Sequence, residues 1–390
     1  PMSRAMDLGD IHDEAGHCSE YTLPTLLAAT GLKDRVTGKD FITAFVLGQE
    51  VLLRIGMAYK FLSRAFPMGR LNGDYVFGCV AAVGRLLGLS LEELQNAEGI
   101  ISEMTQPHSA AMLQPITLIV RIHHGFVCQD SINACLLAKR GITGPREAVL
   151  SAPMGYLGFA KWETDPDALI KGLGERWETV TVMRKHYPCV VTSQAAVDGI
   201  LGHMKQHNFK AEDIASIDIT RRVHKAGGIA NIDVTDTTSR ARSAAIREAK
   251  YNPQTVPECQ FSLPYAVAAA ACNGDLFVDS YTPHAMARKD IRDLMTRVSE
   301  REDPNLPRRA ATVTTVLKNG KKYSSECIYP KGHPKNPFTE EELVAKLKKC
   351  VPYSAYELND AVVDSLVNSL LGLEKVDDVV SAVLKPLTPN

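Results

Sequence analysis

The stretch Thr312-Val313-Thr314-Thr315-Val316-Leu317, followed by Lys318-Asn319-Gly320-Lys321, distinguishes this chain from an all-helical protein. Its first six residues are mostly β-branched, and Asn-Gly tolerates the positive φ angles of a type I′ turn, so the stretch predicts a β-hairpin. Upstream, Ser216 to Thr220 alternates in hydrophobicity like a half-buried strand. Helical segments are predicted at Ser193 to Gln206 and Leu263 to Cys272. Together these segments indicate a small α+β domain at about residues 181–332.

The remainder of the chain predicts helices. Ser90-Leu91-Glu92-Glu93 has the pattern of a capping box, and Thr339 to Glu342 opens a second capped helix. Lys346, Lys348 and Lys349 on that second helix are expected to face solvent. We expect a mainly α fold with a smaller α+β domain. A large all-helical domain is built from both chain ends, residues 1–180 and 333–390, and residues 181–332 are inserted between them.

The composition excludes several classes of protein. The 390 residues are 45% hydrophobic and 23% charged, with a net charge of −1, which argues against a broad basic surface for nucleic acid or membranes. The nine cysteines are scattered, without a CxxC pair, so no disulfide framework or zinc site is expected and a cytoplasmic location fits best. No membrane span is expected either, since no run of about 18 apolar residues occurs. The chain begins abruptly at Pro1, and we expect that the first helices of a longer parent are missing.

A dense cluster of ionisable residues lies near the start of the chain. Asp7, Asp10, Asp13 and Glu14 alternate with His12 and His17 within eleven residues that also hold two glycines. A carboxylate beside a histidine can orient the imidazole for proton transfer, which predicts an acid–base site. Two other interpretations are open: a solvated loop with Ser19 as the cap of the next helix, or a metal site of Asp10, His12 and His17. The spacing matches no specific metal motif, so no metal is expected.

Several segments match the motifs of one family, in order over nearly the whole chain. The segments are Asp7-Leu8-Gly9-Asp10 with Gly16-His17-Cys18-Ser19, Gly78 to Leu89, His124 to Gly141, Lys185-His186-Tyr187-Pro188-Cys189, and Phe261-Ser262-Leu263-Pro264-Tyr265-Ala266. The first pair is similar to a DFDD…HPS signature, and the last two resemble K-x-Y-P-x-C and FSLPYA elements. The chain thus resembles the MmgE/PrpD family, which includes 2-methylcitrate dehydratase and cis-aconitate decarboxylase.

The resemblance implies a helical domain assembled from both chain ends, an α+β lid domain and an active site in the cleft between them. It also implies a homodimer and chemistry that needs no cofactor. In that chemistry a proton moves to or from the carbon beside a carboxylate. Fixed cationic groups hold the anionic arms of a small polycarboxylate and stabilise the carbanion-like transition state.

The family's functional residues are only partly present. Asp7, His17 and Lys185 match the first acid, the histidine and the lid lysine of the family pattern. Five other polar positions of the decarboxylases are occupied here by apolar residues or glycine: Ile11, Gly69, Val120, Val190 and Ala226. These differences argue against a cis-aconitate decarboxylase.

Nearby residues could replace those that are lost. Arg121, His123, His124, Asp10 and His186 are predicted to bind substrate, although Arg121 could form an ordinary salt bridge and one of the two histidines could be buried in the core. A guanidinium can grip a carboxylate with two parallel hydrogen bonds.

The leading hypothesis is a carbon–oxygen lyase of the 2-methylcitrate dehydratase type that acts on a hydroxy di- or tricarboxylate. His17 is its acid–base group, Asp7 orients His17, and Lys185 with Arg121 binds carboxylates. His123 or His124 is a second proton-transfer group. A related epimerase or isomerase, or a non-catalytic protein that only binds polycarboxylates, are the alternatives.

Overall fold

The computed structural model describes residues 6–58, 73–104, 118–147, 155, 165–222 and 249–388. The fold is mostly helical, with a small mixed four-stranded sheet in the C-terminal half. The main helices of the first half are α1 (Ser19–Ala29), α2 (Gly38–Ala58), α3 (Gly73–Leu87), α4 (Leu91–Met104), α5 (Ile119–Ile122), α6 (His124–Lys139) and α7 (Asp167–Ile170). Those of the second half are α8 (Gln194–His207), α9 (Val256–Phe261), α10 (Leu263–Asn273), α11 (Pro283–Ala287), α12 (Lys289–Met295), α13 (Glu340–Cys350) and α14 (Asp360–Leu371). The mainly helical class is therefore confirmed.

Both predicted capping boxes are present. The backbone N–H of Ser90 donates to the Glu93 carboxylate at 2.7 Å, and the N–H of Glu93 donates back to the Ser90 hydroxyl at 3.2 Å. Thr339 and Glu342 make the same reciprocal pair at the start of α13. Each box satisfies two backbone donors that have no partner inside the helix, which fixes where α4 and α13 begin.

Helix α2 is the one described helix whose length and composition would let it cross a membrane, with a mean hydropathy of 1.5 over its most apolar window. In this fold, however, 61% of that window is buried, and α2 packs mainly against α3. A core helix of a folded domain passes the same length and composition test. The apolar character of α2 is accounted for by this packing.

The C-terminal tail packs on the first helical block, as expected from the sequence. The N–H of Gly38 donates to the carbonyl of Val376 at 2.8 Å, and the N–H of Val379 donates to the carbonyl of Val36 at 2.8 Å. Leu366 of α14 is buried in the same hydrophobic core as α1 to α4 and α6. Residues near both chain ends therefore share one core.

The second hydrophobic core surrounds a four-stranded sheet. The strands are β4 (Ile214–Arg221), β5 (Val298–Glu302), β6 (Ala311–Leu317) and β7 (Lys322–Cys327), in the order β5-β4-β6-β7. β4 is parallel to β5 and antiparallel to β6. Helix α10 is buried from Leu263 to Ala271 in this core. The proposed domain boundaries at residues 180 and 333 stay a prediction.

The hairpin between β6 and β7 is present, but its turn differs from the predicted type. The N–H of Gly320 donates to the carbonyl of Leu317 at 2.9 Å, and only Gly320 in the turn has a positive φ, of +83°. Asn319 does not have the positive φ that a type I′ turn requires. The connection is a type I turn followed by a left-handed glycine, which is the usual three-residue hairpin loop.

A second, smaller sheet positions the N-terminal loop. Its strands are β1 (Asp10–His12), β2 (Gly16–His17) and β3 (Met183–Arg184), in the order β2-β1-β3. Ile11 in the middle strand pairs with His17 on one side and with Met183 on the other. Two strand spacings of about 4.8 Å separate the backbones of His17 and Met183. The chain near Lys185 is therefore brought to roughly 10 Å from His17.

Two exposed glycines with opposite roles give a test of the fold. An added Cβ would meet no atom within 4 Å at either Gly202 in α8 or Gly320 in the hairpin, and only Gly320 has a positive φ. Gly202→Ala should raise the free energy of unfolding by about 0.5–1 kcal/mol, since alanine favours the helix. Gly320→Ala should lower it by about 1–2 kcal/mol, since alanine is strained in the left-handed region. Urea unfolding measures the two changes in the free energy of unfolding. Changes of the same sign in the two variants would contradict this turn geometry.

Candidate active site

Asp10 fixes the N-terminal loop to helix α1. Its Oδ1 accepts from the backbone N–H of Ser19 at 2.8 Å, and its Oδ2 accepts from the Ser19 hydroxyl, which also accepts from Gln49 of α2. Burial raises the pKa of Asp10 despite these hydrogen bonds. Asp10 thus caps α1 from outside the helix, a role the sequence did not assign to it. Its predicted contact with substrate stays a prediction.

A buried cluster of charges joins Asp7, Arg121 and Lys185. Arg121 Nη1 donates to Asp7 Oδ1 at 2.9 Å, and Lys185 Nζ lies 3.0 Å from Asp7 Oδ2 and donates to the Asp7 carbonyl at 3.1 Å. The three residues are 1–4% exposed. Two formal positive charges thus surround one formal negative charge. Among the described residues, the cluster therefore places two buried cations side by side, an arrangement suited to an anionic ligand.

Two further groups fix the guanidinium of Arg121. Its Nη2 donates to Gln260 Oε1 of α9, and the guanidinium lies over the Phe261 ring, 5.3 Å from the centroid. These contacts bind α5 to the start of the Phe261-Ser262-Leu263-Pro264 element. Gln260 was not among the predicted site residues, although its position next to the Phe261-Ser262-Leu263-Pro264 element could have indicated it.

A second buried cluster is centred on Glu20 in the first turn of α1. Glu20 Oε1 lies 2.9 Å from Nδ1 of His17 and 3.3 Å from Nε2 of His124. All three side chains are buried. Asp7 was predicted to orient His17, whereas the carboxylate that lies beside His17 among the described contacts is that of Glu20. Its spacing of three residues from His17, on the first turn of the helix, could have indicated it.

Aromatic rings pack beside this second cluster. The Tyr21 ring stacks on Tyr75 with 4.0 Å between centroids, and it lies 4.3 Å from the His124 ring. The neighbouring imidazoles of His123 and His124 are 4.0 Å apart. This packing holds the His124 ring from two sides. It leaves His123 half-buried, with its Nδ1 3.0 Å from the carbonyl of Ile119.

His186 and Lys346 lie on the far side of Lys185. His186 stacks on Tyr187, and its Nδ1 lies 3.9 Å from Asp198. Lys346 of α13 is half-buried and donates to the carbonyl of Lys185. Burial, with the charges of Lys185 and Arg184, lowers the pKa of Lys346 to about 8. The expectation that Lys346 faces solvent was therefore wrong, because the face of α13 that carries Lys346 packs against the chain at Lys185.

The described contacts thus divide the predicted residues into groups. Asp7, Arg121 and Lys185 form one cluster, while His17 and His124 share Glu20. Two of the positions that differ from the family pattern, Ile11 and Val120, are buried apolar residues. The positions of Gly69 and Ala226 lie outside the described residues.

Metal binding is not indicated by the described residues. Within the ranges given above, no group of three or more His, Cys, Asp or Glu side chains is arranged to hold a metal ion. His12, one member of the alternative metal set, accepts through Nδ1 from the N–H groups of Glu14 and Ala15 at 3.2 and 3.0 Å. That nitrogen is engaged in shaping the β1–β2 turn.

Two family models match the chain. The model of the MmgE/PrpD N-terminal domain matches residues 1–167, and that of the MmgE/PrpD C-terminal domain matches residues 187–368. A cis-aconitate decarboxylase-like protein of Aspergillus oryzae is 25% identical over 96% of this chain and 78% of its own length. The cis-aconitate decarboxylase of Homo sapiens is 24% identical over 99% of this chain and 78% of its own length. That of Mus musculus is 24% identical over 98% of this chain and 76% of its own length.

Removal of the Asp7 charge tests the first cluster. Asp7→Asn keeps the size of the side chain and suits the backbone φ of +56°, but leaves two buried cations without their anion. The free energy of unfolding should fall by about 3 kcal/mol or more. Asp377→Asn is the control, because its pair with Arg35 is exposed and should contribute less than about 1 kcal/mol. Similar losses in the two variants, measured by urea unfolding, would contradict the buried cluster.

The pH dependence of stability tests the turn that carries His17. Burial lowers the pKa of His12 below 6.5, although Glu178, Asp13 and Glu14 oppose the shift. Above pH 6.5 the imidazole is neutral in both states. Below pH 6.5 the unfolded chain takes up the proton first, so His12 destabilises the fold as the pH falls. His12→Asn offers an acceptor at the same place without titrating, so its melting temperature should fall less between pH 7 and pH 5; parallel curves would refute this.

Proposed function

The chain belongs to the MmgE/PrpD family, and from this premise we propose that it is a carbon–oxygen lyase acting on a small hydroxy di- or tricarboxylic acid. The family comprises enzymes, dehydratases and decarboxylases, that act on carboxylic acids. In the proposed reaction, a proton leaves the carbon beside a carboxylate and water is eliminated, without a cofactor. The 2-methylcitrate dehydratase type is the nearest description of this chemistry.

The observation that carries the proposal is the pair of buried cations, Arg121 and Lys185, that both contact Asp7. A third cation, Lys346, donates to the carbonyl of Lys185, so the described residues bring three basic side chains to this part of the fold. Cationic groups in a site shielded from water interact strongly with an anion. This interaction becomes stronger as negative charge develops in the transition state. A substrate with several carboxylates has the complementary charge.

The acid–base group of the proposed mechanism is His17. Glu20 lies 2.9 Å from His17 Nδ1, which favours the tautomer with the proton on that nitrogen. Nε2 is then the nitrogen that takes the proton from carbon. The electron pair of the broken C–H bond forms the C=C bond as the C–O bond breaks. The hydroxyl leaves as water with a proton from a second acid, for which His123 and His124 are candidates.

The apolar substitutions at Ile11 and Val120 support a dehydratase-type lyase over a decarboxylase. Both positions are polar in the decarboxylase pattern and are occupied here by buried apolar side chains. Substrate contacts made there by a decarboxylase have no counterpart in this chain. A non-catalytic binder of polycarboxylates is the second candidate, since it would need the cation cluster but not the lost polar groups.

Turnover assays with His17→Asn test the proposal. The purified protein is incubated with 2-methylcitrate, citrate and cis-aconitate, and the conjugated product acid is followed by ultraviolet absorbance. We expect turnover of a hydroxy acid, with kcat lower by about 100-fold or more in His17→Asn, since general acid–base catalysis contributes that much. His284→Asn is the matched control, because His284 is an exposed histidine on α11 and takes part in none of the described contacts of the two clusters.

Each other outcome identifies a different function. Release of carbon dioxide from cis-aconitate would favour a decarboxylase, and solvent deuterium in recovered substrate without elimination would favour an epimerase. Binding of a polycarboxylate in calorimetry without turnover would favour the non-catalytic binder. Full activity in His17→Asn would overturn the assignment of His17 even if elimination occurs.

A further inference from the structure

The turn between β1 and β2 is held by residues from the C-terminal half of the chain. Asp13 lies in this turn, and its Oδ1 accepts a hydrogen bond from Nε of Arg309 at 3.0 Å. Arg308 donates to the backbone carbonyl of Asp13. Nε2 of His333 lies 3.9 Å from the other carboxylate oxygen of Asp13. We call these four residues the Asp13 clasp, since the other three side chains converge on Asp13.

Arg309 holds its place in the Asp13 clasp under strain. Its φ of +71° lies in the left-handed region, which a residue with a Cβ adopts only rarely. Its side chain is only 3% exposed, and burial lowers the pKa of its guanidinium despite the charge of Asp13. Residues with such a strained backbone persist where the surrounding structure holds them, and they cluster at functional sites. Glycine would suit this backbone better, so the ion pair with Asp13 is the described contact that favours arginine here.

The side chains of the Asp13 clasp come from segments that the two sheets fix. Arg309 lies two residues before the start of β6, the central strand that pairs with both β4 and β7. The segment that carries His333 is attached to the small sheet, since the N–H of Arg184 in β3 donates to the carbonyl of Gly332 at 2.9 Å. The positions of the two sheets therefore determine where the β1–β2 turn is bound.

The hairpin that the Asp13 clasp binds is very short. β1 has three residues and β2 has two, and the described pairs are Ile11 with His17 and His12 with Gly16. β2 is an edge strand of its sheet, with β1 as its neighbour there. A hairpin of this length is marginal by itself in water, so its geometry depends on tertiary contacts. The position of His17, four residues after Asp13, consequently depends on what holds the turn.

We propose that Arg309 is a positioning residue for His17, which it holds in place by binding Asp13 in the turn of the same hairpin. Arg309 acts on the imidazole through the backbone of the hairpin and need not touch a substrate. The effect on catalysis rests on the proposed function, whereas the anchoring of the hairpin is a property of the folded chain.

The physical reason is the precision that proton transfer requires. The atoms that exchange the proton must approach to about 3 Å. A displacement of about 1 Å can lower the rate by about 100-fold. The Asp13 clasp binds both the carboxylate and the backbone carbonyl of Asp13, which opposes translation as well as rotation of the turn. Without these bonds the hairpin would sample positions in which the imidazole of His17 is displaced.

Hydrogen exchange of the full chain tests the anchoring without a need for turnover. Arg309→Gly removes the ion pair but also relieves the backbone strain, so this variant should fold. The peptide that covers residues 8–18 should exchange about tenfold faster or more, since a hydrogen bond between charged groups is lost. The peptide that covers residues 311–327, in β6 and β7, should exchange as in the wild type. Asp13→Ala removes the other partner and should give the same pattern.

Asn208→Gly is the matched control for hydrogen exchange. Asn208 also has a positive φ, of +50°, but it lies at the C-terminal end of α8 and takes part in none of the described contacts of the Asp13 clasp. This variant relieves the same kind of strain and should leave the exchange of the hairpin unchanged. Arg309→Lys keeps the charge and should restore part of the protection that Arg309→Gly loses.

Two results would overturn the proposal. One is hairpin exchange equal to that of the wild type in both Arg309→Gly and Asp13→Ala. The other is an equal acceleration of the peptide from β6 and β7, because Arg309 would then support the whole fold and not the hairpin in particular. The double variant should exchange no faster than Asp13→Ala alone, since the two residues act as one pair.

Steady-state kinetics then connect the anchoring to catalysis. If the proposed function holds, Arg309→Gly should lower kcat by about tenfold or more. KM should change by less than about threefold, because Arg121 and Lys185, the proposed carboxylate-binding residues, lie outside the hairpin. In a His17→Asn background, Arg309→Gly should have no further effect on kcat, since the positioned group is already absent.

The two readouts separate this proposal from the proposed function. Faster hairpin exchange in the variants of a protein without any turnover would refute the lyase and support the anchoring. Turnover with an unchanged kcat in Arg309→Gly would refute the positioning role and leave the lyase supported.

Discussion

The buried ion-pair cluster of Asp7, Arg121 and Lys185 is the interaction on which the candidate site depends. It joins three segments that are distant in sequence: the N-terminal loop, helix α5 and the chain after β3. Charges removed from water are stable only when opposite charges and hydrogen bonds replace the solvent, so none of the three segments can leave its place alone. The small sheet of β1, β2 and β3 acts in the same way through backbone hydrogen bonds. The loop that carries His17 is thus fixed from both sides.

The two buried clusters divide the work of the site. In one, the cations Arg121 and Lys185 flank the carboxylate of Asp7, an arrangement suited to the carboxylates of a substrate. The other holds two imidazoles around one carboxylate, suited to the movement of a proton. Ile11 and Val120, at two positions where the sequence departs from the decarboxylase pattern, are buried apolar residues. Glu20, His17 and His124 lie together in the adjacent part of the fold, and the proposed acid–base role rests on that arrangement.

Local patterns predicted the secondary structure well, because they depend on neighbouring residues. Two examples are the capping boxes that begin at Ser90 and Thr339 and the turn of the β6–β7 hairpin. Each of them depends on residues that are only a few positions apart. The turn type was wrong because Asn319 permits but does not require a positive φ. The exposure predicted for Lys346 was wrong because helical spacing does not reveal which face another segment covers.

The sequence by itself determined the family, the mainly helical class, and the residues Asp7, His17 and Lys185 as candidates, since motifs and composition are read along the chain. Only the tertiary structure decided which charges face each other. Glu20 lies beside His17, Gln260 contacts Arg121, and His124 lies near the same carboxylate oxygen as His17. The reason is physical: the partner of a buried charge is chosen by distances of about 3 Å in space, and the packing of helices and strands sets those distances independently of separation along the chain.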